Sequence, residues 1–247
     1  MSDVVRVFIG SSANGEDVDI EIAYENSIRQ NCSSDVEIVW MRQSNDPDSY
    51  WGGWNTPRWS TPFSGFRWAI PEYCNFEGRA IYTDCDMINF RDMTDLLNVE
   101  LNGKPVAARR GTRFGGHEFC VMVFDCAAFR KHALPVQRMK KIAESHHRLM
   151  NVFAGNSKLV EDLDPKWNCL DGEQYALDDI YQLHFTNMGT QPWHPAWYTG
   201  VEEPHPRQDV AQAFQDAFNN AISNGYDNEA LRSQLQEDIV QYNIIGK

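Results

Sequence analysis

The sequence predicts an α/β fold closed by a helical C-terminal tail. Three observations carry this expectation. The chain opens with a strand, a helix and a second strand, the pattern of a βαβ unit. Short β-branched runs recur through its middle. After Pro206 apolar residues repeat at four-residue spacing instead, as on one face of a helix. With 42% hydrophobic residues over 247 positions there is enough apolar side chain for one large domain. We read that domain over 1–205 and an amphipathic helical tail over 206–247.

The elements follow in order. "VVRVFIG" (4–10) is apolar and β-branched, and Gly10, Ser11 and Ser12 stop it. Ile20, Ala23, Tyr24 and Ile28 then share one helical face, with acidic residues at the front where the helix dipole favours them. "VEIVWMR" (36–42) is a second strand, and 44–60 is a loop rich in Gly, Pro and Trp. "FSGFRWAIPE" (63–72) predicts a helix and "RAIYT" (79–83) a buried strand. "KPVAARR" (104–110) and "CVMVFDC" (120–126) predict further strands. Residues 135–153 carry one helical period through Val136, Met139, Ala143 and Met150, and "QLHFT" (182–186) is a late strand. In the tail, Val210, Phe214, Phe218 and Ile222 mark one helix, and Leu231, Leu235 and Ile239 a second. These faces either pack back on the domain or dock a partner, a second copy of the chain included.

Charge narrows the partners. A net charge of −13 repels nucleic acid and anionic membrane surfaces, so neither is expected. No apolar run has the length of a membrane span, so no transmembrane segment is expected. No basic, apolar leader precedes the first strand, so a soluble cytoplasmic protein is expected. The six cysteines lack paired zinc-ligand spacing and read as buried free thiols.

The chemistry centres on "YTDCDM". Asp84 and Asp86 flank Cys85 straight after the strand at 79–83. Two close carboxylates repel, and without a shared proton they require a cation. Hard divalent ions favour such oxygen ligands, often alongside substrate phosphates. The carboxyl ends of strands are also where α/β folds bind ligands. The competing reading is a solvated turn.

Around this pair the chain resembles the nucleotide-sugar glycosyltransferases of the GT-A fold, glycosyltransferase family 8 in particular. Arg67, Pro71 and Glu72 match that family's Arg-x-x-(Ile/Val)-Pro-Glu helix, and Asp84 and Asp86 its Asp-x-Asp motif. "CVMVFD" fits a following strand, with Cys120 and Asp125 where Gly and Asn are usual. Trp167, Asn168, Leu170, Glu173 and Gln174 fit a Trp-Asn-x-Leu segment with its acidic or amide pair. "HFTNMGTQPW" (184–193) fits a late His-Gly-Trp motif, with Gln191 in place of the usual Lys. The likeness spans residues 4–197.

The resemblance implies a Rossmann-like GT-A mixed sheet flanked by helices. It implies metal-dependent transfer of a sugar from a nucleotide diphosphate, a UDP-sugar by family habit, to the hydroxyl of a glycan or small-molecule acceptor, with retention of configuration. The ion would be manganese, or magnesium, on Asp84, Asp86 and His184. Donor contacts would come from Ile9, Gly10, Ser11, Arg67, Asp84, Cys85 and Gly189. Glu173, Gln174 and Asp125 would stabilise the transferring sugar or orient the acceptor. Independently of the resemblance, aromatic faces stack on sugar rings, so Trp51, Trp54 and Trp193 are read as an acceptor wall. Each has a plainer alternative: Arg67 pairing with Glu72 or Asp92, His184 as a satisfied core histidine, and Trp51, Trp54 and Trp59 pinning their loop to the core. A sugar-nucleotide nucleotidyltransferase and a non-catalytic carbohydrate-binding protein are the rival functions. The first should carry a basic phosphate loop after the first strand, where "GSSANGED" is acidic.

Overall fold

A computed structural model describes residues 4–111, 116–195 and 198–241. Its strands and helices are β1 (Val5–Gly10), α1 (Val18–Asn31), β2 (Val36–Met41), α2 (Ile70–Tyr73), β3 (Arg79–Asp84), β4 (Met87–Asn89) and α3 (Met93–Leu97). They continue with β5 (Val106–Arg110), β6 (His117–Asp125), α4 (Cys126–Phe129), α5 (Val136–Lys141), α6 (Glu144–Ala154) and β7 (Val160–Leu163). The last are β8 (Cys169–Leu170), β9 (Gln182–His184), α7 (Gln208–Ser223) and α8 (Asn228–Leu235).

The expected βαβ start is present: β1 pairs parallel with β2 and with β3. The main sheet has six strands in the order β2-β1-β3-β6-β5-β7. It is mixed, because β6 runs antiparallel to both β3 and β5. Alternation along the strands sends residues to two cores. Phe8, Tyr82, Met122 and Phe124 face one core, and Val7, Ile9, Ile81, Val121 and Val123 the other.

A second sheet was not foreseen. β4, β9 and β8 form a small sheet of their own, so the late strand at 182–184 pairs with β4 rather than extending the main sheet. It shares a core with α1 and α7, built from Ile20, Ile88, Leu183, Phe185, Trp193, Val210 and Phe214. α7 thus lays its apolar face on α1 and this sheet. α8 adds Leu231 and Leu235 to a smaller cluster around Val18, Ile22 and Ala221. Ile239 lies past the end of α8 and is half-exposed. Among the described residues no helix is long and apolar enough to cross a membrane.

Two expected helices are altered. Residues 63–72 contain a 3-10 turn over Phe66–Ala69 that passes into the single turn α2. Pro71 sits in the first turn of α2, where its missing N–H costs no helical bond. The run 135–153 splits into α5 and α6 at Ile142, whose backbone is extended (φ −119, ψ 97). The tryptophan loop takes the freed carbonyls: the Asn55 N–H donates to Lys140 and the Trp59 indole to Ala143.

That loop is itself core. Trp51, Trp54 and Trp59 are at most 8% exposed and pack on Phe66. Gly65 has no room for a side chain, since a Cβ there would stand 2.3 Å from the Trp59 ring. Burial of this kind makes Trp59→Ala cost about 3–5 kcal/mol, readable as a lower urea midpoint. A midpoint unchanged from wild type would show that the loop is dispensable to the core.

Candidate active site

The acidic pair sits where the sequence placed it, at the carboxyl end of β3. Asp84 is the last residue of β3, and the chain turns through Cys85 and Asp86 into β4. β9 pairs with β4 so that His184 faces Met87, which brings the imidazole beside the pair. His184 Nε2 lies 3.3 Å from Asp86 Oδ1. Its Nδ1–H donates to Asn168 Oδ1 at 2.8 Å, which leaves the Nε2 lone pair facing the carboxylates. Asp86 Oδ1 is buried, yet it has no hydrogen-bond partner among the described residues.

Arg67 comes from the 3-10 turn and aims into the same point. It stacks on the Tyr82 ring (4.4 Å), donates to the carbonyls of Ser64 and Phe119, and reaches Asp84 Oδ1 at 3.2 Å. The Tyr82 hydroxyl donates to the same oxygen. Glu72 and Asp92 are engaged elsewhere, on the Val136 and Thr94 N–H groups. Burial raises the Asp84 pKa against the opposing pull of Arg67, and Asp86 raises it further. Burial disfavours the charged form of His184, but Asp86 and Asp84 together raise its pKa. The His184 shift reports concentrated negative charge, whereas the Asp84 shift is owed first to burial.

The donor set fits a divalent cation. Asp84, Cys120 and His184 each present a ligand atom, and these atoms all lie within 4.8 Å of one another. Asp86 lies outside that mutual 4.8 Å set, but its Oδ1, without a hydrogen-bond partner among the described residues, stands 3.3 Å from His184 Nε2.

The other expected residues divide. Ser11 is buried and donates from Oγ to Glu21. Gly10 ends β1 under the Tyr82 hydroxyl, and a Cβ there would sit 2.9 Å from it. The Ile9 side chain lies in the core and Cys85 is buried. Gly189 lies in a turn in which its N–H donates to Asn187 Oδ1. Asp125 lies apart from the acidic pair: it faces Arg79 at the opposite end of β3, and its carboxylate caps α4. Trp51, Trp54 and Trp193 present no free aromatic face, because each is packed in a core. His146 takes the Trp68 indole N–H on Nδ1, whereas His147 binds the Arg58 carbonyl.

Glu173 does not offer a bare carboxylate. Both of its oxygens accept from Arg109 (2.7 and 2.9 Å), and one also accepts from the Leu170 N–H. Arg109 further donates to the Asn168 carbonyl, so a buried guanidinium ties Glu173 to the residue that orients His184. Gln174 is exposed, with one long contact to the Gly172 carbonyl.

Sequence reasoning gave no site role to Cys120, Arg109 or the acidic loop after β1. Asp17 in that loop has its pKa pushed up to about 7, by burial first and then by Glu21. In the unfolded chain it ionises near pH 4. Between those values the native state holds the extra proton, so this group makes stability fall as pH rises from about 4 to 7. Asp17→Asn is therefore expected to gain about 1 kcal/mol or more over wild type at pH 8 and little at pH 4. Urea midpoints at the two pH values check this, and an equal change at both would contradict it.

A separate cavity of about 810 Å³, lined in part by Arg6, Cys74 and Arg79, opens at the amino ends of β1 and β3, the far end of the sheet from the cluster.

Comparison with known proteins agrees with this architecture. No protein-family model and no curated protein sequence matches the chain. Among solved structures, the WbbM bifunctional glycosyltransferase is similar at TM-score 0.63 and 13% identity, over 96% of this chain and 52% of that one. The glycosyltransferase GlyE of Streptococcus pneumoniae is similar at 0.61 and 17%, over 100% and 66%. The galactosyltransferase LgtC, solved with donor and acceptor sugar analogs, is similar at 0.61 and 12%, over 93% and 100%. The chain thus spans about half of the first and two thirds of the second. Its fold is that of the GT-A glycosyltransferases.

Proposed function

We propose that the chain is a metal-dependent glycosyltransferase that moves a sugar from a nucleotide diphosphate, a UDP-sugar, to an acceptor hydroxyl with retention of configuration. The observation that carries this reading is His184 standing 3.3 Å from Asp86 and within 4.8 Å of Asp84 at the carboxyl end of β3 on a GT-A fold. Those three side chains would hold manganese or magnesium. When bound, the ion supplies positive charge to the diphosphate oxygens as the sugar departs.

The chain's own residues do the rest. Arg67, fixed by the Ser64 and Phe119 carbonyls, adds a permanent positive charge behind Asp84. Asn168 keeps the His184 proton on Nδ1, away from the ligand side. Gly10 pairs with Asp84 in the β1–β3 register, so the backbone of Gly10 and Ser11 adjoins the acidic pair and suits donor contact. Gln174 is the exposed polar group of its segment, suited to orient the sugar or the acceptor. Glu173 acts through its tie to Arg109 and Asn168, as a positioning residue. Asp125 and the three tryptophans have no part in this reading.

A panel of sugar nucleotides, each with manganese, tests it by assay of nucleoside diphosphate release. Release from one preferred donor, lost on chelation, is expected. Release of pyrophosphate from a nucleoside triphosphate and a sugar phosphate would favour the nucleotidyltransferase, and binding of no donor would leave only a carbohydrate-binding role.

A further inference from the structure

The β3–β6 register pairs Thr83 with Val121, so the next pair across the two strands is Asp84 and Cys120. The Cys120 sulfur consequently stands beside the first aspartate of the cluster. The ligand atoms of Asp84, Cys120 and His184 lie within 4.8 Å of one another. Two ligands bonded to one ion at 2.0–2.3 Å stand no more than about 4.6 Å apart, so a small side-chain rotation completes the set. His184 is already aimed by Asn168, and Asp86 Oδ1, which has no hydrogen-bond partner among the described residues, lies 3.3 Å from the imidazole.

We infer that Cys120 is a metal ligand, and that its sulfur gives the site a preference for borderline ions such as zinc or cobalt(II) over manganese and magnesium. The inference rests on the metal reading above and deepens it. Carboxylates and water alone suit magnesium and manganese, whereas a thiolate selects zinc-like ions. On binding, the sulfur–metal bond forms, the Cys120 S–H bond breaks and its proton leaves to solvent.

Cobalt(II) titration of the full chain reads the sulfur directly. Wild type is expected to show visible cobalt bands together with a near-ultraviolet sulfur-to-cobalt charge-transfer band. Cys120→Ser keeps the visible bands, loses the near-ultraviolet one, and lowers the ratio of zinc to manganese affinity by at least about tenfold. Cys120→Ala carries the same expectation and guards against a folding defect peculiar to serine. Visible bands without a sulfur band in wild type, or a sulfur band that persists in both variants, would overturn Cys120 as a ligand and leave the metal reading intact. No cobalt spectrum and no zinc binding would overturn Cys120 as a ligand, and failure of manganese to bind as well would overturn both.

Discussion

Asp86→Ala is expected to abolish the thermal stabilisation given by manganese with UDP, while the metal-free protein stays as stable as wild type or gains. The two halves of this outcome have separate causes. A ligand present at 100 times its Kd stabilises by about 2.7 kcal/mol. For a domain of this size that is about 5–11 °C in Tm. Removing one carboxylate from the ion's shell removes that increment. Without metal, Asp86 Oδ1 is buried, has no hydrogen-bond partner among the described residues, and sits in the field of Asp84. Deleting it relieves repulsion at the cost of one 3.3 Å contact with His184. Melting curves with and without manganese and UDP check both halves. A full ligand-induced shift in the variant would remove Asp86 from the site, and a large loss of metal-free stability would assign it a structural role.

Glu173→Ala is expected to destabilise the fold by about 3 kcal/mol, an effect that comes before any effect on turnover. Removing one partner of a buried ion pair costs about 3–5 kcal/mol because the other charge is left uncompensated. Arg109 is 2% exposed, whereas Glu173 is 22% exposed, so the arginine is the charge left stranded. The lower end of the range applies because Glu118, 3.7 Å from Arg109 Nε, and the Asn168 carbonyl remain as partners. Arg109→Met with Glu173→Leu should recover most of the loss, since replacing both partners by apolar groups is often neutral. Urea unfolding of the single and double variants measures this. A single variant as stable as wild type would show that the pair does not hold the loop behind His184, and would return Glu173 to the candidates for direct contact with the sugar.

Much of this was legible in the sequence because local pattern and tertiary structure agree. Strands β1, β2, β3 and β6 are short β-branched runs, and their period fixes them as strands wherever they end up. Asp84 and Asp86 could be placed because a strand's end is visible without knowing its neighbours. What was lost depends on pairing across distance. The strand at β9 is expected from the sequence, but its partners β4 and β8 have three and two residues, too few to show a period, so the second sheet was invisible. Cys120 looked like one more buried thiol until β6 was laid antiparallel to β3. Arg109 falls in a run that reads as a strand, and only the fold reveals that its charge is buried against Glu173. The tryptophan loop shows the converse. Its aromatic faces suit sugar stacking by composition, but the break between α5 and α6 and the small Gly65 draw those faces inward. Asp125 followed a motif's order without its geometry, and the antiparallel register sent it to the other end of the sheet.

The most direct measurement is calorimetric titration of UDP into the wild-type chain, once with manganese and once with a chelator. A diphosphate held through a divalent ion on Asp84, Asp86 and His184 should bind at least about tenfold tighter with the metal, a gain of about 1.4 kcal/mol. Equal affinity in the two titrations would contradict the bridging ion, whatever sugar the donor carries.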